Sequence, residues 1–180
     1  MECLSLEFIN SRWYNTHKPF QERLADAQWL AAFCEKWQLP HVDTSEETVS
    51  ALLDLRAFLS QAATEICLTG TLPEAHLEML NAYLHTAEAY PSLNRSGPSG
   101  FRLDTASPSD GVRAAIHRIA LSFARLLAEH SPLHLKQCGN PECGWIFYDD
   151  TKGHTKKWCD KTCASLMKVR KHRARLKAQE

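Results

Sequence analysis

Residues 138–163 read Cys138-Gly-Asn-Pro-Glu-Cys143, fifteen intervening residues, then Cys159-Asp-Lys-Thr-Cys163. Two close pairs of cysteines joined by a loop are what a tetrahedral zinc ion requires. Each pair supplies two thiolates from one turn, and the loop folds the pairs together. The candidate ligands are therefore Cys138, Cys143, Cys159 and Cys163, holding one Zn2+ per chain. Four thiolates close the coordination sphere, so such a site is structural and leaves no position for a substrate. The spacing matches neither ferredoxin pattern, which argues against an iron–sulfur cluster. Gly139 and Gly144 each follow a cysteine of the first pair, where tight turns around a metal favour residues free of Cβ strain. Trp145, Ile146, Phe147, Tyr148 and Trp158 lie between the pairs. They are expected to form a miniature core with the metal, because a unit of about 40 residues cannot hold itself together by burial alone. His154 lies in the same loop; it reads as a solvated histidine, with replacement of one thiolate as the alternative.

Beyond the last cysteine, no Gly or Pro interrupts the chain as far as Ala178, and Asp160 or Thr162 can start a helix. From Lys161 to Lys177 there are seven Lys/Arg residues plus His172 and no acid. At about 100° per residue, Lys161, Lys168, Lys171, His172 and Arg175 share a broad sector. Leu166, Val169 and Leu176 form a narrow seam, interrupted by Arg173 and bordered by Arg170 and Lys177, that is expected to pack on the zinc unit. A basic helix without acids is the electrostatic footprint of contact with a phosphate backbone. The candidate nucleic-acid contacts are Lys161, Lys168, Arg170, Lys171, His172, Arg173 and Arg175. The seam has no aromatic anchor, which argues against a lipid surface.

The whole chain of 180 residues has a formal net charge of zero, but the charge is unevenly placed. Residues 1–150 carry 11 basic and 19 acidic residues, a net of −8, and residues 151–180 carry 10 and 2, a net of +8. An acidic body with a basic appendage is the expected plan. No run of 18 apolar residues suggests a membrane span, and the opening residues lack the pattern of a secretory signal. A reducing cytoplasmic setting is therefore expected, where thiols persist and bind metal.

The first 137 residues read as mostly helical. Leu4 to Arg12 begins apolar, and the choice between strand and helix stays open there. Arg23 to Gln38 has helical apolar spacing and is stopped by Pro40. Thr44-Ser-Glu-Glu47 is read as a capping box. The helix after it should run to Thr69, with Val49, Leu52, Leu53, Leu59, Ala63, Ile66 and Cys67 on one face and Gly70 as its end. Thr71-Leu-Pro-Glu74 reads as a second capping box, with Pro73 in the first turn and a helix to about Ala89. Pro91 to Ser109 holds turn chemistry, in which Phe101 and Leu103 could belong to a small hairpin. Ser107-Pro-Ser-Asp110 opens a last helix with Val112, Ala115, Ile116, Ile119, Phe123, Leu126 and Leu127 as its stripe, limited by Pro132. The fold class is mainly α. A small helical domain over 1–135, with a short β-hairpin, is followed over 136–180 by a four-cysteine zinc finger with a basic C-terminal helix.

The stretches Cys138-Gly-Asn-Pro-Glu-Cys143-Gly-Trp-Ile-Phe-Tyr-Asp149, Lys157-Trp158-Cys159 and Lys168-Val-Arg-Lys-His-Arg-Ala-Arg175 resemble the CGNR-type zinc finger of bacteria. Leu4-Ser-Leu-Glu-Phe-Ile-Asn-Ser-Arg12 and Asp26-Ala-Gln-Trp-Leu-Ala-Ala-Phe33 resemble the ABATE domain that precedes it in that family, which is described as a stress-induced transcription regulator. One departure stands out. Where the family reads Cys-Gly-Asn-Arg at the last cysteine, this chain reads Cys163-Ala-Ser-Leu166, and the second pair is spaced x3 where many members have x4. The resemblance implies a bacterial cytoplasmic protein that binds zinc and DNA.

The first forty residues hold seven of the sixteen aromatics: Phe8, Trp13, Tyr14, Phe20, Trp29, Phe33 and Trp37. With Glu7, Asn10 and Arg12 beside them and Arg102 as an anion-binding charge, they are the candidate lining of an effector pocket; a plain helix core is the alternative. His76, His85 and His117 lack metal spacing and read as surface or core residues. No catalytic motif is present. The expectation is a zinc-containing DNA-binding regulator whose helical domain binds a ligand or a second copy in a homodimer. The alternatives are an RNA-binding module, with Trp145 or Tyr148 stacking on bases, and a small-molecule-binding or enzymatic helical domain with the zinc unit as scaffold.

Overall fold

The computed structural model describes residues 1–12, 22–97, 100–106 and 111–178. Leu4–Ile9 forms α1, so the opening motif is helical: its alternating Leu4, Leu6 and Phe8 are all buried together with Ser5 and Ile9. α2 covers Ala27–Trp37. It starts later than Arg23 because the Asp26 carboxylate accepts the N–H groups of Gln28 and Trp29, at 3.0 and 3.1 Å, and so fixes the first turn. α3 covers Glu46–Thr69 and ends on Gly70 at φ +78°, as the sequence implies.

Its start differs from the capping box read at Thr44. Ser45 is the cap, and its hydroxyl accepts the Thr48 N–H at 3.4 Å. Asp43 holds Ser45 in place through both its N–H and its hydroxyl, at 3.0 and 2.7 Å. Nor is there a second capping box. α4 covers Glu74–Leu84 with Pro73 at its cap and no side-chain bond there, because the Thr71 hydroxyl lies beside that of Thr69 instead. This helix stops at Leu84 rather than near Ala89. The chain then enters strand β1, Tyr90–Ser96, which pairs antiparallel with β2, Gly100–Ala106. The hairpin is therefore real, and longer than its turn-rich composition suggests. α5 covers Val112–Glu129; the Ser107–Asp110 opening read for it lies outside the described residues, as do Trp13, Tyr14 and Phe20.

α3 and α5 pack on each other and on α1, while α4 lies on α5. Phe8, Leu24, Leu55, Leu59 and Phe123 are fully buried between them, and each contributes about 1.5–3 kcal/mol of hydrophobic stabilisation. The face of α3 toward this core is rotated from the one expected: Leu55 and Ala62 are buried, while Val49, Leu53 and Cys67 are half-buried. Arg56 is also on the buried side. Its guanidinium grips the Glu22 carboxylate with two bonds, at 2.7 and 2.6 Å, and the Ser11 hydroxyl at 3.0 Å. Burial works against ionisation of Glu22, but the Arg56 bonds prevail and hold its pKa below the usual carboxylate value.

After a single 3-10 turn at Pro132–His134, two short antiparallel strands follow: β3, Leu135–Gln137, and β4, Ile146–Tyr148. The last element is α6, Lys161–Lys177. Leu135 and Ile146 are buried in the same core as the helices, with Tyr148 packed against it. The miniature core expected around the cysteines is correspondingly smaller: among the described residues, Trp145 and Trp158 are the aromatics packed on them. The reason is the alternation of a strand, which sends Ile146 and Tyr148 to the helical side.

Candidate metal centre and basic helix

The turn joining β3 to β4 carries the first cysteine pair. The Cys138 N–H donates to the Trp145 carbonyl at 2.8 Å, and the Cys143 N–H donates to that of Asn140 at 2.9 Å, which closes the turn. Gly144 has φ +67°, a left-handed conformation in which a Cβ is strained. Gly139 is needed for proximity instead. A Cβ there would meet the Trp158 ring at 2.9 Å and the Lys157 carbonyl at 3.1 Å. Without it, the Gly139 N–H reaches that carbonyl at 2.8 Å and ties the first pair to the chain entering the second.

The second pair spans the start of α6. Asp160 caps the helix by accepting the Cys163 N–H at 2.8 Å, so Cys163 stands in the first helical turn. All four Sγ atoms lie within 4.8 Å of one another, and those of Cys143 and Cys159 are 3.7 Å apart. Tetrahedral zinc with Zn–S bonds of about 2.3 Å places sulfurs about 3.8 Å apart, so the donor set fits that ion. Cys138, Cys143 and Cys163 are buried. The four thiols form a closed site for one structural zinc.

Several N–H groups point at the sulfurs. The Asn140 amide lies 3.5 Å from Cys163 Sγ, and the Cys159 backbone N–H lies 3.5 Å from Cys138 Sγ. Such bonds favour thiolate over thiol. Burial opposes ionisation at Cys138, but backbone N–H groups of Cys159 and Asn140 bring its pKa below the ordinary thiol value. Burial pushes the Cys143 thiol up to about 11 and raises Cys159 as well. A metal that binds here must displace protons from those two sulfurs.

The loop between the pairs is organised by Asp149, which is fully buried. Its carboxylate accepts from Lys136 Nζ at 2.6 Å, the Thr151 hydroxyl at 2.6 Å and the Lys156 N–H at 2.9 Å. Burial alone would raise its pKa; the hydrogen bonds from Lys136, Thr151 and Lys156 win and hold it well below the carboxylate range. His154 is exposed and stacks on His134, with ring centroids 3.5 Å apart. It is not one of the residues whose ligand atoms gather at the centre.

Along α6, only Cys163 is buried. Lys161, Lys168, Lys171, His172, Arg173 and Arg175 are exposed, and none of them makes an ion pair with a described residue. Arg170 is the exception among the candidate contacts. Its guanidinium meets the Glu142 carboxylate at 2.7 Å and Asn140 Oδ1 at 3.5 Å, which braces the helix against the first cysteine turn. The apolar seam does not pack as expected. Leu166 is half-buried, but Val169 and Leu176 remain 48% and 52% exposed, because the helix leaves the zinc unit after its first turns.

The four candidate pocket residues do not converge. Glu7 is bonded to Lys36 at 2.6 Å and to the Trp37 indole at 3.1 Å. Asn10 is buried against Ile146. Arg12 lines a cleft with Arg56 and Asp54, and Arg102 stands on β2, bonded to Gln38 at 3.2 Å. Among the histidines, His117 is buried with Nδ1 at 2.8 Å from the Leu84 carbonyl, a core role. Sequence reasoning did not single out Asn140 and Asp149, which hold the centre together. A polar residue beside a ligand cysteine was the available signal for the first. An Asp two residues before Thr151, the geometry of an Asx turn, was the signal for the second.

Residues 2–130 match the family model ABATE, described as "Putative stress-induced transcription regulator", and residues 134–176 match the CGNR zinc finger. No curated protein matches the sequence. No described helix is long and apolar enough to cross a membrane.

Proposed function

Because the chain belongs to the ABATE family and carries a CGNR zinc finger, we propose that it is a DNA-binding transcriptional regulator acting in the cytoplasm. Its zinc site is scaffold, and its C-terminal helix is the contact. The observation that carries this reading is the exposed surface of α6, with Lys161, Lys168, Lys171, Arg173 and Arg175 unpaired among the described residues. On a chain that balances to zero net charge, cations left without partners are available to phosphates. His172 lies exposed among them. Arg170 supports the helix through Glu142 rather than offering a free charge. The acidic body is repelled by nucleic acid, which orients the encounter toward α6.

The single-stranded RNA alternative has less support. Tyr148 is packed on the helical core, with its hydroxyl 3.1 Å from His134, and Trp145 is packed on the cysteines, so both half-buried rings are already engaged within the fold.

The test is the binding of a random-sequence duplex, followed by fluorescence anisotropy across a salt series. Neutralising about five phosphates gives a slope of log K against log salt of about −4 to −5. A salt-independent affinity, or no binding to duplex at low salt, overturns the reading. Selection from a random pool then identifies the operator.

A further inference from the structure

The helical body carries its own cluster of positive charge, remote in sequence from α6. A cavity of about 310 Å3 opens between the end of α2, strand β2 and α5. Lys36, Trp37 and Gln38 come from α2 and its cap, Arg102 from β2, and Arg118 and Arg125 from α5. Leu103 completes the wall. Although residues 1–150 are net acidic, no acidic side chain among the described residues lines this cavity.

The four cations are held differently. Lys36 is neutralised by Glu2 and Glu7, at 2.9 and 2.6 Å. Arg118 donates to the carbonyls of Gln38 and Trp37, closing the C-terminal end of α2 where Gln38 turns left-handed. Arg102 donates to Gln38 Oε1 at 3.2 Å and is engaged by a further interaction, so it is not a free charge. Arg125 lies two helical turns beyond Arg118 on the same face. It is exposed and has no ion pair or hydrogen bond with a described residue. Trp37 is fixed by its indole bond to Glu7 at 3.1 Å. Planar guanidinium groups bind carboxylate or phosphate oxygens as a fork. An indole and a leucine beside them offer a short apolar wall in a cavity otherwise lined by charged and polar side chains, which suits a ligand that is anionic at one end and apolar at the other.

We infer that this cavity binds a small organic oxyanion, its charged end on Arg125, beside the already engaged Arg102, and its apolar part against Trp37 and Leu103. The inference stands whether or not α6 binds DNA. Its test is isothermal titration of the zinc-loaded full chain with benzoate and with phenyl phosphate, and with benzylammonium as the cationic control. Saturable binding of one or both anions with a dissociation constant of about 1 mM or tighter is expected, and none of the cation. Arg125→Gln and Arg102→Gln should each weaken it by about tenfold or more, the share of a charge-assisted bond. Arg125 has no hydrogen-bond or ion-pair partner among the described residues to lose, so its variant is expected to keep the cavity intact; circular dichroism and zinc content check this for both. Tighter benzoate assigns a carboxylate ligand, and tighter phenyl phosphate assigns a phosphate. Failure of both anions to saturate, or equal binding by both variants, overturns the inference. So does a result in which Arg125→Gln weakens duplex DNA while the small anions never bind, which would place this cluster on the nucleic-acid surface.

Discussion

The Asn10 side chain bonds to both backbone polar groups of Ile146. Its amide nitrogen donates to the Ile146 carbonyl at 2.7 Å, and its Oδ1 accepts the Ile146 N–H at 2.9 Å. One residue at the end of α1 thus stands in for a strand neighbour at the open edge of β4. The same amide also reaches the Leu6 carbonyl at 2.8 Å, which anchors it to its own helix. Asn10 is buried, so neither group of Ile146 has water as an alternative partner there.

Asn10→Ala should therefore destabilise the chain by about 2–4 kcal/mol, since it leaves two buried backbone groups unsatisfied. Asn10→Asp should be no better, because its second oxygen faces the Ile146 carbonyl. Urea unfolding measures the loss, and limited proteolysis should show faster cutting near residues 135–148. A loss under about 0.5 kcal/mol would mean that the strands dock by apolar contact alone.

Cys143→Ser or Cys159→Ser should abolish the stoichiometric zinc, about one ion per chain in the parent protein. The expected structural loss is concentrated in residues 138–178, because binding free energy supplies the folding of such units. The helical body should survive with a lowered melting temperature, because Leu135 and Ile146 are part of its core. Elemental analysis and hydrogen exchange read these outcomes. A variant that keeps its zinc and its exchange protection would remove that cysteine from the ligand set.

Asp149 links stability to pH. Its pKa is lowered in the folded chain, so the stabilisation is complete above the ordinary carboxylate pKa of about 3.9 and is lost as pH falls toward the folded value. The melting temperature should drop below about pH 4, more steeply in the parent protein than in Asp149→Asn. Parallel curves for the two proteins would show that the Lys136 and Thr151 bonds do not carry this linkage.

Lys168 and Arg170 should separate by mechanism, although both lie on the basic helix. Lys168→Gln should lower the magnitude of the salt slope for duplex binding by about 1 and leave stability unchanged. Arg170→Gln should lose the bond to Glu142 and lower the melting temperature of the zinc unit, with a smaller change in slope. A full unit of slope lost in Arg170→Gln would mean that its ion pair opens on DNA.

Legibility in the sequence followed distance along the chain. The cysteines were readable because their spacing is local, and so was Gly70 at the end of α3. The cap of α3 lies one residue on, at Ser45, because Thr44 has the same hydroxyl and only Asp43 settles the choice. The local pattern carries α4 too far because the pairing that takes over, Tyr90 with Ala106, is non-local. Arg56 breaks the apolar stripe of α3 for a partner 34 residues away, and Asn10 answers to one 136 residues away. No period in a single sequence encodes such pairs.

The entry of Cys163 into the first turn of α6 makes the helix a lever pinned at one end. From Cys163 to Lys177 the rise is about 21 Å, so a tilt of about 10° at the metal would swing the far end by nearly 4 Å, about one base-pair step. The Arg170 brace to Glu142 lies midway. It shortens the free arm to about 10 Å and halves that swing. Angular precision at the far end is then set by a single ion pair on the zinc unit, not by the length of the helix.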